Sequence, residues 1–127
     1  MTLRIEDRLG IIELVGLHGH LMDQGAFDRL DEFFAADASY DLTDFDAGVL
    51  HGIDAIRDAA LALGDRNPVG HHVTNIVVGQ QQEDGGVPVR SKGIGIGPDG
   101  ATRSVVYVDE VRHEPAGWRI TFRAVIA

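Results

Sequence analysis

The stretch VGHHVTN, residues 69–75, sets two histidines side by side at the start of a segment with strand-like alternation. Successive side chains of a strand point to opposite faces, so one imidazole meets the interior and the other does not. An inward imidazole can act as a general acid or base near neutral pH, or it can be a hydrogen-bonded core residue. Alternation groups His71 with Val73, Asn75 and Val77, and His72 with Thr74, Ile76 and Val78. Both groups contain apolar residues, so periodicity leaves the choice between the two open. Asp23 is the second group of interest. It follows the apolar Leu21-Met22 pair at the end of a helical pattern, where it either points back under the sheet or caps the next helix.

Other chemistries are poorly served. KGIGIGPDG (92–100) carries glycines but lacks the following helix that a dinucleotide fingerprint needs; a Pro-Asp-Gly turn and another strand follow instead. Its alternating Gly93, Gly95 and Gly97 leave one sheet face bare, with room for a packed helix, a partner subunit or a ligand. His18 and His20 stand two apart on a helix and splay by roughly 200°, and His71 and His72 sit on opposite strand faces, so no metal site is expected. Cysteine is absent, which excludes disulfides, thiolate ligands and a cysteine nucleophile. No serine elbow, zinc-protease helix or phosphate loop occurs. Proton transfer by His and Asp, without a cofactor, is the chemistry left.

The elements that must position these groups follow from the hydrophobic pattern. The 127 residues suit one domain, 1–127, and the 44% hydrophobic and 24% charged content is that of a globular chain. A net charge of -9 argues against nucleic acid or an anionic membrane as partner. No apolar run is long enough for a membrane helix and the N-terminus lacks a signal-peptide core, so a cytoplasmic location is expected. Residues 5–22 read as an amphipathic helix carrying Leu9, Ile12, Leu14, Leu17 and Leu21; 26–35 as a short second helix; 38–45 as a strand; and 52–63 as a third helix. Four period-two strands follow, at 70–80, 87–97, 101–113 and 117–126, separated by EDGG, GPDG and EPAG turns. Helices followed by an antiparallel meander predict an α+β domain with helices on one face of a curved sheet.

The order of a helix, DQGAFDRLDEFFAADASYDL, GIDAIRDA, HHVTNIVV and RSVVYVDEVRHEPAGWRITFRAVIA resembles the SnoaL-like branch of the NTF2-like superfamily over residues 5–126. The resemblance implies a cone: a strongly bent antiparallel sheet around a long N-terminal helix and two shorter helices, with a pocket between them. In the scytalone dehydratase and dehydrochlorinase members an aspartate ending helix one pairs with a histidine opening this strand. Those positions correspond to Asp23 and, anchored on the Thr74-Asn75 pair, to His71, 48 residues on. His72 is left to the opposite face. A buried carboxylate accepting from one imidazole nitrogen fixes the tautomer and leaves the other nitrogen to take or deliver a proton.

By the same resemblance His18 stands where the dehydrochlorinase has a polar helper, Met22 replaces a tyrosine of the dehydratase branch, and Tyr40 matches another. Asn75, Ser91, Tyr107 and Arg123 complete the expected pocket, although Arg123 and Asp109 can simply neutralise each other inside the sheet. The resemblance implies a cofactor-independent lyase or isomerase for a small, mostly apolar, even polycyclic molecule. Its alternatives are a non-catalytic small-molecule carrier or dimeric interaction protein, and a polyketide-cyclase-like enzyme that does not depend on the dyad. Fold alone does not choose among them. A homodimer or higher homo-oligomer, paired through the open outer sheet face, is expected.

Overall fold

The computed structural model describes residues 3–127. Helix α1, Ile5–Asp23, is followed by a 3₁₀ turn at Phe27–Glu32, strand β1 at Phe34–Asp41, a 3₁₀ turn at Thr43–Phe45 and a short strand β2 at Val49–His51. Helix α2, Ile53–Leu63, then leads through a third 3₁₀ turn to β3 (Gly70–Val78), β4 (Val87–Ile96), β5 (Thr102–Glu114) and β6 (Gly117–Ile126). The six strands form one sheet in the order β2-β1-β6-β5-β4-β3. All neighbours are antiparallel except β1 and β6, which run parallel. The architecture is the α+β cone, with α1 packed against β3 and β6 inside the curve.

Three local expectations change. The helix expected at 26–35 is only the 3₁₀ turn Phe27–Glu32, and Phe34 already belongs to β1, so the strand expected at 38–45 starts earlier and ends at Asp41. Phe27, Leu30 and Phe33-Phe34 are spaced for a helix, yet pairing with β6 gives the backbone its partners: Phe34 sits opposite Ile120, and Ile120 N–H donates to the Phe33 carbonyl at 2.8 Å. Tertiary pairing overrides local spacing here. Strand β2 lay outside the sequence reading, as did the parallel pair that it extends.

The third change concerns the face of α1. Ile11, Leu14, Val15, His18 and Leu21 are buried, whereas Ile5, Leu9 and Ile12 are exposed. The helix extent matches the pattern, but its apolar residues surround it, so the pattern does not select the buried side.

The core lies at the end of the sheet away from the β4–β5 turn. Val78, Val87, Val89, Val111 and Ile120 meet Ile11, Leu14 and Val15 of α1 there, with Phe33 and Phe34 closing the side. Within that wall Arg123 and Asp109 are fully buried and face each other across β5 and β6. Their two parallel hydrogen bonds, Nε to Oδ1 at 2.8 Å and Nη2 to Oδ2 at 2.9 Å, form a bidentate ion pair.

Candidate active site

His71 is carried by the first residues of β3, where that strand crosses the end of α1. Gly19 permits the crossing: a Cβ there would collide with the His71 carbonyl oxygen. The close approach brings the last residue of the helix against the strand, and the Asp23 carboxylate holds His71 at two points. Oδ2 accepts from the His71 backbone N–H at 3.0 Å, and Oδ1 accepts from ring Nδ1 at 2.7 Å. An ionised carboxylate only accepts, so Nδ1 carries a proton, and in the neutral ring Nε2 presents a lone pair. Nε2 has no partner among the described residues. The Asp23 side chain is 28% exposed and that of His71 13%, so the carboxylate expected to be buried is instead partly solvated.

The His71 ring forms part of the wall of a cavity of about 600 Å³. Most of the wall is apolar, with Met22, Leu42, Leu50, Ile56, Val105 and Val125 prominent. Polar groups are few: Tyr40 on β1, Tyr107 and Arg103 on β5, Thr102, and Asn67 after α2. The Asn67 amide is engaged, donating to the carbonyls of Ala60 and Gly64 at 2.9 and 3.0 Å and so closing the C-terminus of α2. Burial raises both phenols above the ordinary tyrosine value, which keeps Tyr40 and Tyr107 neutral and able to donate.

The glycines of β4 divide this wall. Gly93 is filled by its neighbour, since a Cβ there would collide with the Tyr107 ring. Gly95 is different: a Cβ on it would meet nothing within 4 Å, and it lines the cavity. The Gly93 position is thus taken by a tyrosine of the same sheet, not by a helix, partner subunit or ligand, and the Gly95 position borders open cavity.

Beneath the wall lies a second polar layer that does not touch the cavity. The Arg123 guanidinium stacks on Tyr107 at 4.0 Å and on Phe33 at 5.0 Å, and its Nη1 has no hydrogen-bond partner among the described residues. His18 packs among Phe33, His71 and Tyr107, with ring centroids 5.2, 5.6 and 6.1 Å away. Both His18 nitrogens lack a hydrogen-bond partner among the described residues, as does the Ser91 hydroxyl. Burial first, then the charges of Arg123 and His71, hold the His18 pKa well below the ordinary histidine value, so the ring is neutral.

A family model, the SnoaL-like domain, matches residues 3–124. The chain belongs to the SnoaL-like family. Among solved structures, a provisionally named aromatic ring hydroxylase from Novosphingobium aromaticivorans is 28% identical, with a TM-score of 0.82 over 98% of this chain and 90% of that one. An NTF2-like protein with a cystatin-like fold from the same organism is 25% identical, with a TM-score of 0.77 over 95% and 81%. A provisionally named scytalone dehydratase from that organism shares the fold at 18% identity, with a TM-score of 0.78 over 95% and 83%. No curated protein matches the sequence.

In this SnoaL-like domain the expected site residues separate into three groups. His71, Met22, Tyr40 and Tyr107 meet at the cavity wall, with Asp23 behind His71. His18, Ser91 and Arg123, expected in the pocket, are instead sealed in the layer beneath it, because Tyr107 lies over the Gly93 gap and covers them. Asn75, also expected there, is exposed. A bulge between Thr74 and Val77 places Asn75 at φ +54° and breaks the alternation that grouped it with His71. His72 faces outward opposite Ile94. Arg103, Leu42, Leu50 and the α2 residues of the wall were missed. Arg103 was within reach of alternation from Tyr107, since 103, 105 and 107 share a strand face.

No described helix is long and apolar enough to cross a membrane.

Proposed function

We propose that the cavity is the active site of a cofactor-independent lyase or isomerase for a small, mostly apolar molecule, with His71 as the proton-transfer residue and Asp23 as its orienting partner. The reading is supported by one observation above all: the Asp23–His71 pair leaves Nε2 unpartnered on the wall of an apolar cavity. In an elimination, Nε2 removes a proton from the carbon next to the leaving group; the resulting imidazolium can hand that proton to the departing hydroxyl. In an isomerisation, it returns the proton to a different carbon. Tyr40 and Tyr107, neutral and on the same wall, are suited to donate to a substrate carbonyl whose oxygen gains charge in the transition state. General acid–base catalysis of this kind contributes about 10²–10⁴-fold.

The test is a panel of apolar hydroxy and keto compounds assayed for dehydration and double-bond migration with wild type, His71→Ala and His72→Ala. The expected result is a loss of about 100-fold or more for His71→Ala with unchanged circular dichroism, and near-wild-type turnover for His72→Ala. Equal losses in the two variants would remove His71 from the mechanism.

A binding-only domain is the second reading, and the second arm of the Asp23 clamp favours it. The bond to the His71 backbone N–H ties α1 to β3 whatever the ring does. On that reading Asp23→Asn costs stability and no member of the panel turns over. Pairing of two copies through the outer sheet face fits either reading, since Val77, Ile94, Val108, Phe122 and Ile126 are exposed there. A monomer in light scattering would remove it.

A further inference from the structure

We propose that Arg103 selects ligands that carry a carboxylate, so that the molecules taken by this cavity are apolar carboxylic acids held with the acid group at Arg103 and the rest of the frame reaching toward His71. The inference rests on the reading of the cavity as the ligand site and names what that site prefers.

The register places the two groups. His71 of β3 pairs with Gly95 of β4, and Gly95 pairs with Arg103 of β5. The three residues form one cross-strand row, and all three line the cavity. Neighbouring strands lie about 4.8 Å apart, which sets the His71 and Arg103 Cα atoms on the order of 10 Å from each other. Gly95 leaves the space between them open. A flat ligand can therefore lie over Gly95 with one end at the imidazole and the other at the guanidinium.

Electrostatics gives the row a direction. The chain carries 20 acidic residues against 11 Lys and Arg, yet no Asp or Glu lines the cavity. Asp23, behind the wall, is already engaged by His71. Arg103 is the cavity's lone Lys or Arg among the described residues and forms no ion pair with them. Its guanidinium lies over the ring of Phe45, which also lines the cavity, 5.3 Å from the centroid. Stacking uses the flat face of the group and leaves its in-plane N–H donors free for the two oxygens of a carboxylate. A neutral ligand leaves those donors to water, and an ammonium ligand is repelled.

The experiment measures affinity rather than turnover. Ligand-observed NMR titrations compare 2-naphthoate, methyl 2-naphthoate and 2-naphthylmethylammonium, three molecules of one shape and different charge. Wild type is expected to bind the carboxylate about fivefold or more tighter than the ester, with the ammonium weakest; this corresponds to a partly exposed ion pair. The margin shrinks as salt is added. Arg103→Gln, at an exposed position, is expected to keep the wild-type melting temperature and lose the margin, whereas Arg103→Lys keeps part of it. His71→Ala is expected to keep the margin in full, so a failure of the proton-transfer reading leaves this result untouched. Equal binding of acid and ester, a margin that survives Arg103→Gln, preference for the ammonium, or no binding of any of the three overturns the proposal.

Discussion

The inner face of β4 and β5 has two ends that differ in what fills them. At the end remote from their connecting turn, Val87 faces Val111 and Val89 faces Asp109, and the three valines share one core cluster with Ile11, Leu14 and Val15 of helix α1. At the turn end, Gly95 faces Arg103 and the space above them is open cavity. Tyr107 marks the border, its ring lying over Gly93 and against the guanidinium of Arg123. Stability is concentrated in the first end because apolar burial and a bidentate buried ion pair are there. The second end carries little of it, since its side chains border open space. Side chains at the turn end can then be exchanged without loss of the fold.

Substitutions can break that contrast, beginning with the largest expected effect. Asp109→Ala strands a buried guanidinium and is expected to cost about 3–5 kcal/mol in urea unfolding. Replacing Asp109 and Arg123 together with Leu and Met is expected to recover most of it, because burying the pair costs nearly as much as the pair returns. Ile120→Ala, in the same packed end, is expected to cost about 2–4 kcal/mol by leaving a cavity against Val111 and Phe34. Gly95→Leu tests the other end. It is expected to change stability by less than about 1 kcal/mol while abolishing binding in the cavity, as read by the same NMR titrations. A stability loss as large as that of Ile120→Ala would show that the two ends are not distinct.

The smallest effect sharpens the border. His18 is neutral in the folded chain, with a pKa held below its unfolded value by burial and by the charges of Arg123 and His71. In the unfolded chain the ring gains a proton as pH falls below about 6.5. The unfolded state then binds more protons, so stability contributed by the neutral ring is full above that pH and is lost as pH falls toward the folded value. The slope is at most about 1.4 kcal/mol per pH unit. His18→Phe, which keeps an aromatic ring among Phe33, His71 and Tyr107, is expected to lose less stability than wild type between pH 7.5 and pH 5.5. Parallel urea midpoints for the two proteins would contradict it.

Much of this arrangement is legible in the sequence, for reasons that differ by element. The four long strands are bracketed by turn chemistry that permits few alternatives, and their bounds fall within one or two residues of those expected. Helix α1 is readable in length but not in orientation, since Leu9 and Ile12 are as apolar as Ile11 and Val15. The Phe33-Phe34-Ala35 run conceals a strand because its partner, Ile120, lies far along the chain. The site divides the same way. The pairing of Asp23 with His71, 48 residues on, is legible only through the family resemblance, because alternation leaves His71 and His72 equivalent. The rest of the cavity wall joins residues of β4, β5 and β6 to β1, α2 and the segment between β1 and β2, whose meeting no local pattern encodes. Asn75 is the opposite case: a single bulge cancels a two-residue periodicity.

The parallel pairing of β1 with β6 also governs the order in which the chain can assemble. Strand β1 is the first of the six strands to be made, yet its partner β6 is the last of them, and β2 in turn depends on β1. Until residues near 120 are available, Phe34, Ala35 and Ala38 have no sheet to join, and the cavity wall that includes Tyr40 and Leu50 cannot close. Contacts of such long sequence separation slow folding and leave apolar strand edges exposed meanwhile. Closure of the cavity therefore waits on the pairing of β1 with β6.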